Sequence, residues 1–584
     1  MGHWLAELRR RNVDRVVIAY LAATWLLAQV AGFLADTYIW PAWVVRALVT
    51  VLLLGLPLVA AIAWFFELTP SGLVREQDMP SGPTVRVRPH RALDVAIVAL
   101  VALAISYFAW THDWRGRGAV RAPGASPATL AVLPFKPIVT SSRDEALEFG
   151  MTDTLITRLS GVADVIVRPL SSVRRFATLE QDPVAAGRDL GVASVLDGSV
   201  QKSGERLRVT ARLLRVEDGR QLWSDQFDEK YTDIFAVQDS IAARVTAALA
   251  VQLSDAERQR VGRHATSDSA AYDLFLNGRY YWNRRSSPDD LRKSIDFYSK
   301  AVAADPQFAL AYSGLADVLA VQGIFGVRAP EDVYPKALAA SERALELDPD
   351  LAEAHATRGH LRMTYQHDWQ GALEDFDEAI RHDPRYAMAH MWRAYWMLFL
   401  GRSDEGLVEM QMARNLEPDS LPIALLHARG LYWTRRFDAA EARVRRVLEI
   451  DPRSSIARGL MVALDSQQGR HAAALASLAE GVPVAPGSRS LKAVGLAKAG
   501  RMDEARAELA RLESRAREEY VSAYELASAS AALGELDLAF TWLDQAVVER
   551  ASLLTTLRID PVMDVLRQDP RYVDIENKIR MPPR

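Results

Sequence analysis

Histidine side chains that could bind a metal ion are concentrated in one part of this 584-residue chain. Six of the eleven histidines lie between His355 and His427. A metal site needs several ligands that converge on one point. The histidines considered, His355, His360, His382 and His390, are spread over several predicted helices. Surface or structural histidines are the simpler interpretation, so we predict no metal site.

Arginine and carboxylate side chains form a second group, near the middle of the chain. Arg206, Arg208 and Arg212 alternate with apolar residues and could attract an anion or a lipid headgroup. The alternative is a solvated strand face. The nearby carboxylates Asp225, Asp228, Glu229 and Asp233 surround a predicted loop and helix start. No general acid–base pair is identifiable among them.

Sequence motifs of common enzyme classes are missing from the chain. There is no phosphate-binding loop that ends in Gly-Lys-Ser/Thr, no Gly-x-Ser-x-Gly and no His-Glu-x-x-His. The chain has no cysteine, which excludes disulfides, thiol catalysis and cysteine-ligated zinc. Its formal net charge of -4 argues against nucleic-acid binding. We therefore predict a protein that is not an enzyme, with no cofactor and no nucleic-acid partner.

An acidic residue followed by proline recurs in the C-terminal half of the chain. These pairs mark the helices that would position the histidines. The prolines of this series, Pro306, Pro349, Pro384, Pro418, Pro452 and Pro486, are 43, 35, 34, 34 and 34 residues apart. Ala485 replaces the acidic residue in the last pair. A fixed period between about 20 and 50 residues is typical of a repeat array.

Each interval contains two helical runs with a break between them. In residues 387–418, Gly401 separates the runs and allows the left-handed backbone that ends a helix. Pro418 biases the residue before it away from the helix. Comparable breaks recur at Arg435, Gly469, Gly500 and Gly534. Small residues recur at the eighth, twentieth and twenty-seventh positions, where they let helix axes approach closely.

These small positions, the aromatic residues and the terminal proline resemble the tetratricopeptide repeat (TPR) family. The resemblance implies an all-α solenoid of about eight repeats over residues 268–551. The units begin near residues 273, 309, 352, 387, 421, 455, 487 and 520. Residues 552–584, which contain Asp560-Pro561 and Asp569-Pro570, are predicted to form a C-terminal capping segment.

In this family, positions 2, 5, 9, 12 and 13 of each first helix line a concave groove. The resemblance therefore implies a protein-binding groove made of His360, Met363, Met388, Met391, Tyr395, Leu398, Phe399, Leu425, Arg429, Tyr432 and Trp433. A surface rich in aromatic and methionine side chains suits an extended or helical peptide with apolar anchors. The alternative is that these side chains pack between repeats.

The first 114 residues predict a membrane module with three transmembrane helices, at about 16–35, 45–66 and 94–111. Val16–Ala35 and Ala47–Phe66 are uncharged runs of twenty residues, and Val95–Thr111 is one of seventeen. Arginines precede the first run and lie between the second and third, which predicts a cytoplasmic N-terminus. The predicted location is a bacterial inner membrane, multi-pass, with the C-terminal domains periplasmic and the lipid bilayer as a partner.

Residues 129–253 predict a small α/β domain after a linker at 115–128. Leu207, Val209, Ala211 and Leu213 alternate with polar residues, as in a half-buried strand. Ser203-Gly204 and Asp218-Gly219 flank that strand and suit tight hairpin turns. The pattern predicts a three-stranded meander at 194–202, 206–216 and 220–226, closed by a helix at about 234–253.

The segments Ala131–Phe135, Leu196–Val200, Leu222-Trp223 and Asp233–Gln238 resemble the TolB-like (FlgO-type) amino-terminal domain. Glu7–Val13 and Glu67–Pro70 are similar to the membrane module of the same bacterial proteins. The resulting fold class is multidomain: transmembrane helices, then a small α/β TolB-like domain, then an all-α TPR solenoid.

Two functions remain open at this point. The first is a membrane-anchored scaffold that binds a partner peptide or protein in the concave TPR groove. The second is a transmembrane signalling or sensor protein whose TolB-like domain binds a small ligand or lipid. The partner's identity cannot be predicted, because repeat folds indicate a mode of binding rather than a target.

Overall fold

The computed structural model describes residues 24, 66–69, 72–75, 128–139, 143–162, 164–178, 180–249, 251, 265–284, 288–479 and 487–583. The chain divides into two compact units, Met1–Pro123 and Gly124–Arg584. In the first unit, β1 (Phe66–Thr69) and β2 (Gly72–Arg75) form an antiparallel hairpin. The second unit contains the α/β domain and the helical array.

The prediction of transmembrane helices is wrong for the residues that the structure describes. None of the helices formed by these residues is long and apolar enough to cross a membrane. The predicted span at 45–66 was expected to end as a helix at Phe66, but Phe66 begins β1. Apart from residue 24, which is helical, the rest of the three predicted spans lies outside the described residues. The multi-pass inner-membrane location and the lipid-bilayer partner, which depended on these spans, are withdrawn with them.

The α/β domain is built on one six-stranded sheet. Its strands are β3 (Ala128–Val132), β4 (Lys136–Pro137), β5 (Val165–Val167), β6 (Ser194–Ser203), β7 (Arg206–Arg215) and β8 (Gln221–Lys230). The order is β5-β3-β6-β7-β8, and β4 also pairs with β6. β3 runs parallel to β5 and β6, while β6, β7 and β8 form the predicted antiparallel meander. Gly204 and Gly219 adopt positive φ (59° and 70°) at the two hairpin turns.

Four helices of the α/β domain pack with this sheet, and the helices of the array follow them in the chain. The four are α1 (Glu145–Ser160), the short α2 (Leu170–Val173), α3 (Pro183–Asp189) and α4 (Ile234–Ala248). One buried apolar cluster extends from the sheet through α1 and α4 to the first helices of the array. The hydroxyl of Tyr272 in the first array helix contacts Thr154 (2.6 Å) and accepts from Gln238 Nε2 (2.8 Å). The α/β domain therefore packs directly on the first repeat.

Eight helix pairs follow one another in the described part of the array. They are α5 (Ser269–Arg284) and α6 (Pro288–Ala304), α7 (Ala309–Ile324) and α8 (Pro330–Leu347), α9 (Ala352–Leu361) and α10 (Trp369–His382), α11 (Ala387–Phe399) and α12 (Ser403–Leu416), α13 (Leu421–Trp433) and α14 (Phe437–Ile450), α15 (Ser455–Gln467) and α16 (His471–Ala479), α17 (Leu491–Lys498) and α18 (Met502–Arg515), and α19 (Ala523–Ala532) and α20 (Leu536–Val548). Residues Arg362–Gln366 extend α9 by a π-helical turn. Each pair corresponds to one predicted repeat unit.

The acid–proline pairs form the turns between successive repeats. The backbone N–H of Asp383 donates to Ala379 O (2.9 Å) at the end of α10, and its side chain then accepts from Arg385 N (2.9 Å). Asp305 and Asp451 accept in the same way from the residue two positions on. The carboxylate thus stabilises the turn that the proline starts.

The break between the two helices of a repeat requires a left-handed residue. Gly401, Gly469, Gly500 and Gly534 have φ between 74° and 83°, and Arg435 has φ 60° at the corresponding position. Within a repeat the helices then pack closely: a Cβ on Gly406 would lie 2.8 Å from Leu398 Cδ2 and 3.0 Å from Ala394 O. The predicted breaks and this small position are therefore confirmed.

Arg385 makes a second connection between the α/β domain and the array. Its guanidinium donates to Ser160 O (2.8 Å) at the end of α1 and to Val165 O (2.9 Å) in β5. A cation favours the carboxyl end of a helix, where carbonyl groups lack intrahelical partners. The domain is thus joined to the fourth repeat as well as to the first.

Candidate functional site

The predicted groove residues lie on the first helices of the third, fourth and fifth repeats, and most of them are buried. The buried members are His360, Met363, Met391, Tyr395, Leu398, Phe399, Tyr432 and Trp433. Met388, Leu425 and Arg429 are half-buried. The structure therefore brings the set together, but only three of its members lie partly open to solvent.

Aromatic rings connect these helices in one continuous group. His360 lies 4.3 Å from the ring of Trp392, which lies 5.7 Å from Tyr395. Tyr395 contacts Trp433 edge-to-face at 5.2 Å, and its hydroxyl donates to Leu426 O at 2.8 Å. Phe399 lies 5.4 Å from Trp433 and completes the group. Edge-to-face pairs of this kind stabilise a fixed arrangement of rings beyond the burial of their area.

The remaining polar members lie at the edge of the aromatic group. The guanidinium of Arg429 lies over the Trp433 ring at 5.9 Å, a cation–π distance. The hydroxyl of Tyr432 accepts from Gln467 Nε2 at 3.3 Å. Burial lowers the pKa of His360 to about 3, and neither of its ring nitrogens has a hydrogen-bond partner among the described residues. The imidazole of His360 is therefore buried and neutral.

The residues from 551 to 583, which we call the C-terminal segment, belong to the same buried apolar cluster as the groove residues. The segment consists of a 3₁₀ turn (Ser552–Thr556), a second 3₁₀ turn (Pro561–Leu566) and α21 (Arg571–Lys578). Its side chains in that cluster are Ala551, Leu554, Leu557, Ile559, Met563, Leu566, Tyr572, Ile575, Ile579 and Met581. The segment therefore packs its apolar side chains against the array.

Side chains of the third and fifth repeats hold the segment by its backbone carbonyls. The indole N–H of Trp369 donates to Ile579 O at 3.1 Å, across 210 positions of sequence. Arg435 donates to Ile559 O at 3.4 Å and to both carboxylate oxygens of Asp564 at 2.7 and 3.0 Å. The search for sequence motifs did not identify Trp369 or Arg435 as donors. Arg435 could have been noticed, because it is an arginine at a repeat position that otherwise holds glycine.

The second repeat holds the beginning of the segment. Ser552 Oγ contacts the hydroxyl of Tyr334 at 2.5 Å and donates to Gly323 O at 3.3 Å. Just before the segment, Arg550 donates to Tyr365 O at 3.3 Å and lies 4.8 Å from the Tyr365 ring. Tyr365 belongs to the π-helical turn that extends α9. Such turns are frequent at functional sites, and this one presents a carbonyl to the arginine.

The histidines and the arginine row have structural partners. His355 Nε2 contacts Pro349 O (2.8 Å), and His390 Nε2 contacts Pro384 O (3.0 Å). These histidines therefore fasten the start of a repeat to the preceding acid–proline turn. Arg206 and Arg208 both pair with Asp228, and Arg212 pairs with Asp197. The row of arginines is thus balanced by carboxylates from neighbouring strands.

A family described as tetratricopeptide repeat matches residues 365–407, which include the second helix of the third repeat and the first helix of the fourth. The chain is 29% identical over 316 residues to putative adenylate cyclase 3 of Rhizobium meliloti (strain 1021). That alignment covers 52% of this chain and 46% of the relative, so the chain spans about half the length of the curated relative it matches.

Solved structures with similar repeats include a thermophilic TPR protein of Thermus thermophilus, with 20% identity and a TM-score of 0.28 over 35% of this chain and 99% of that one. The TPR protein YrrB, described as having an unusual peptide-binding site, is 18% identical, with a TM-score of 0.20 over 32% of this chain and 89% of its own. The MamA protein is 17% identical, with a TM-score of 0.21 over 31% of this chain and 91% of its own.

The relative named as a putative adenylate cyclase contradicts the prediction that this protein is not an enzyme, and that prediction is withdrawn. The prediction depended on a search for short catalytic motifs. Such motifs represent only some catalytic solutions, because active sites are defined by the geometry of residues that can be far apart in sequence.

Proposed function

Because the chain is a tetratricopeptide repeat protein with an all-helical solenoid, we propose that it is an interaction scaffold whose inner face binds a polypeptide segment of a partner. We define the inner face by the eleven predicted groove residues together with Trp369 and Arg435. TPR proteins are protein-interaction scaffolds, and we propose that this one binds a peptide at its inner face.

One observation supports the proposal: Trp369 and Arg435 donate hydrogen bonds to main-chain carbonyls of a segment of the same chain. The indole N–H of Trp369 reaches the main-chain carbonyl of Ile579 at 3.1 Å. Apolar side chains of the segment pack in the same cluster as Tyr395, Phe399 and Trp433. Main-chain hydrogen bonds combined with apolar anchors are the usual elements of peptide recognition. The surface therefore has the donors and the apolar area that such binding needs.

The accessible part of the inner face lies along α11 and α13. Met388, Leu425 and Arg429 are half-buried there, and Arg429 lies against Trp433. Methionine adapts to differently shaped apolar groups, while arginine beside tryptophan is a frequent combination in binding hot spots. We expect a partner to make its first contacts with these three residues.

The experiment compares two full-length variants in the cells that produce the protein. In the first, Met388, Leu425 and Arg429 are all replaced by glutamate. In the second, the matched control, glutamate replaces Val408 and Met412, which are 71% and 48% exposed on α12, the second helix of the fourth repeat. Partners are fixed by chemical crosslinking and quantified by mass spectrometry.

We expect the inner-face variant to lose at least about tenfold in crosslinked partner, since a few central residues supply most of the binding energy of an interface. The control should retain its partners, and circular dichroism should show equal helix content in both variants. Equal recovery of the same partners from both variants would contradict the proposed face.

The similarity to a putative adenylate cyclase favours a second candidate function, the conversion of ATP to a cyclic nucleotide. It is tested by incubating the purified full chain with ATP and Mg²⁺ or Mn²⁺ and measuring cyclic AMP by mass spectrometry. Turnover above that of heat-denatured protein would support this function, and its absence with both metals would remove it. The TolB-like (FlgO-type) identity of residues 129–253 also stays a proposal.

A further inference from the structure

We propose that the C-terminal segment is a built-in ligand of the inner face, and that a partner binds there by displacing it. The inference depends on the proposed function, because it describes how access to the same surface is regulated. The displacing partner would be a peptide with aliphatic anchors and one acidic residue, the chemistry that the segment itself presents.

Burial of residues 554–559 differs from that of a terminal cap. All six residues from Leu554 to Ile559 are buried, including Thr555, Thr556 and Arg558. A cap covers the last repeat with one face and shows a polar outer face to water. A run of six buried residues has no outer face. This part of the segment is therefore enclosed by the array, whereas Val565 and Val573, further along the segment, are 53% and 54% exposed.

Contacts of the segment extend over repeats that are far apart in sequence. Ser552 contacts the second repeat at Tyr334, Ile579 contacts the third at Trp369, and Asp564 contacts the fifth at Arg435. The last repeat adds Tyr524, whose hydroxyl donates to Asp560 at 3.0 Å. A ligand that spans these repeats would occupy the same surface, so it and the segment exclude each other.

The segment keeps much of its polar bonding to itself. The guanidinium of Arg558 donates to Glu576 Oε1 (2.8 Å) and Pro582 O (3.0 Å), and Tyr572 Oη donates to Leu557 O (2.9 Å). Displacement of the segment therefore leaves these hydrogen bonds in place. At the rim, by contrast, Arg435 and Asp564 are 40% and 45% exposed, so their ion pair can open without entry into the core.

Covalent attachment explains why the segment is the resident ligand. Only residues 549–551 separate α20 from the first turn of the segment. A short connection of this kind gives an effective concentration in the millimolar range or above. A free peptide of equal intrinsic affinity must therefore reach about millimolar concentration before it competes. Weakening the segment's own contacts should lower that threshold.

The experiment uses the full chain and a fluorescein-labelled synthetic peptide with the sequence of residues 549–584. Asp564→Arg in the chain reverses the charge opposite Arg435 and leaves the inner face itself intact. Asp574→Arg, on an exposed side of α21, makes the same charge change and serves as the matched control. Binding is measured by fluorescence anisotropy, with a scrambled peptide as a second control.

The Asp564→Arg chain should bind the labelled peptide at least about fivefold more tightly than the wild-type chain, because loss of an exposed ion pair is worth ~1 kcal/mol. The Asp574→Arg chain should bind like wild type. Equal binding by the wild-type and Asp564→Arg chains would overturn displacement while leaving the proposed peptide-binding face in place. No binding by any chain would also overturn displacement, while the crosslinking comparison of the two glutamate variants tests the proposed function separately.

Hydrogen–deuterium exchange gives an independent readout on the same proteins. If the segment opens on its own, amides of residues 554–559 exchange faster than those of α11 and α13, and Asp564→Arg accelerates only the former, by about fivefold. Exchange of the segment and of the inner helices at one common rate in both proteins would show that the segment is an inseparable part of the fold, and would also refute displacement.

Discussion

Replacing His360 with phenylalanine tests whether a buried neutral histidine makes the array sensitive to acid. His360 is buried, its ring nitrogens have no hydrogen-bond partner in the described part of the chain, and burial lowers its pKa to about 3 from the usual 6.5. A phenylalanine ring can occupy the same place beside Trp392, 4.3 Å away. At pH 7 the substitution should therefore change stability little.

The sign of the pH effect follows from proton binding. Below pH 6.5 the unfolded chain protonates this histidine, while the folded chain keeps it neutral down to about pH 3. Its contribution to stability is therefore complete above pH 6.5 and is lost as the pH falls through that window. From pH 7 to pH 5 the wild-type chain should lose about 2 kcal/mol through His360 alone.

The assay is urea unfolding followed by circular dichroism at pH 7 and at pH 5. His360→Phe should lose about 2 kcal/mol less than wild type between the two pH values. His390→Phe is the contrasting variant, because it removes contacts to Glu409 (2.5 Å) and Pro384 O (3.0 Å) and should destabilise the array at pH 7 as well. An identical pH dependence in wild type and His360→Phe would refute the reasoning.

Three further predictions concern packing, the domain contact and a buried acid. Gly401→Ala places a side chain at φ 83° and should lower the free energy of unfolding in urea by about 1 kcal/mol. Gly406→Ala places a Cβ 2.8 Å from Leu398 and should lower it by more, ~1–3 kcal/mol. Equal losses in the two variants would contradict the close packing at Gly406. Arg385→Ala removes donors to Ser160 O and Val165 O and should raise hydrogen exchange at 160–167, which the same change at exposed Arg381 should not do. Burial raises the pKa of Glu525 to about 7, so its contribution to stability is present below pH 4.5 and lost as the pH rises through 7. Glu525→Gln should therefore lose less stability than wild type between pH 5 and pH 8. A steeper loss in the variant would contradict the raised pKa of Glu525.

The repeat register was predictable because it depends on local chemistry. In the four Asp-Pro pairs the aspartate forms the turn through a bond to a residue two positions away, as Asp383 does with Arg385 N. Each break needs one left-handed residue, and the sequence marks these with glycine or, at Arg435, with its place in the period. Interactions over a few residues leave a periodic pattern, which one sequence is sufficient to reveal.

The state of the inner face was not predictable, because it depends on contacts across more than two hundred positions. The register indicates which side chains point inward, such as Tyr395 and Trp433, but not what lies against them. Trp369 meets Ile579 across 210 positions, outside any period. The predicted groove residues therefore lie together, while the bonds of Trp369 and Arg435 to the C-terminal segment are information that only the folded structure contains.

The capping prediction for residues 552–584 came from Asp560-Pro561 and Asp569-Pro570 and stays a prediction, while the residues just before these pairs are buried despite a polar composition. Leu554–Ile559 contains two threonines and an arginine, a composition typical of exposed turns. In the fold, Thr555 and Thr556 donate to carbonyls three residues earlier, Ser552 O (2.9 Å) and Leu553 O (2.7 Å), and Arg558 pairs with Glu576. Because these groups bond within the segment, it can enter an apolar enclosure with most of its polar groups already paired. Because these hydrogen bonds lie within the segment, the segment can also dissociate with few of them broken, as an exchangeable ligand must.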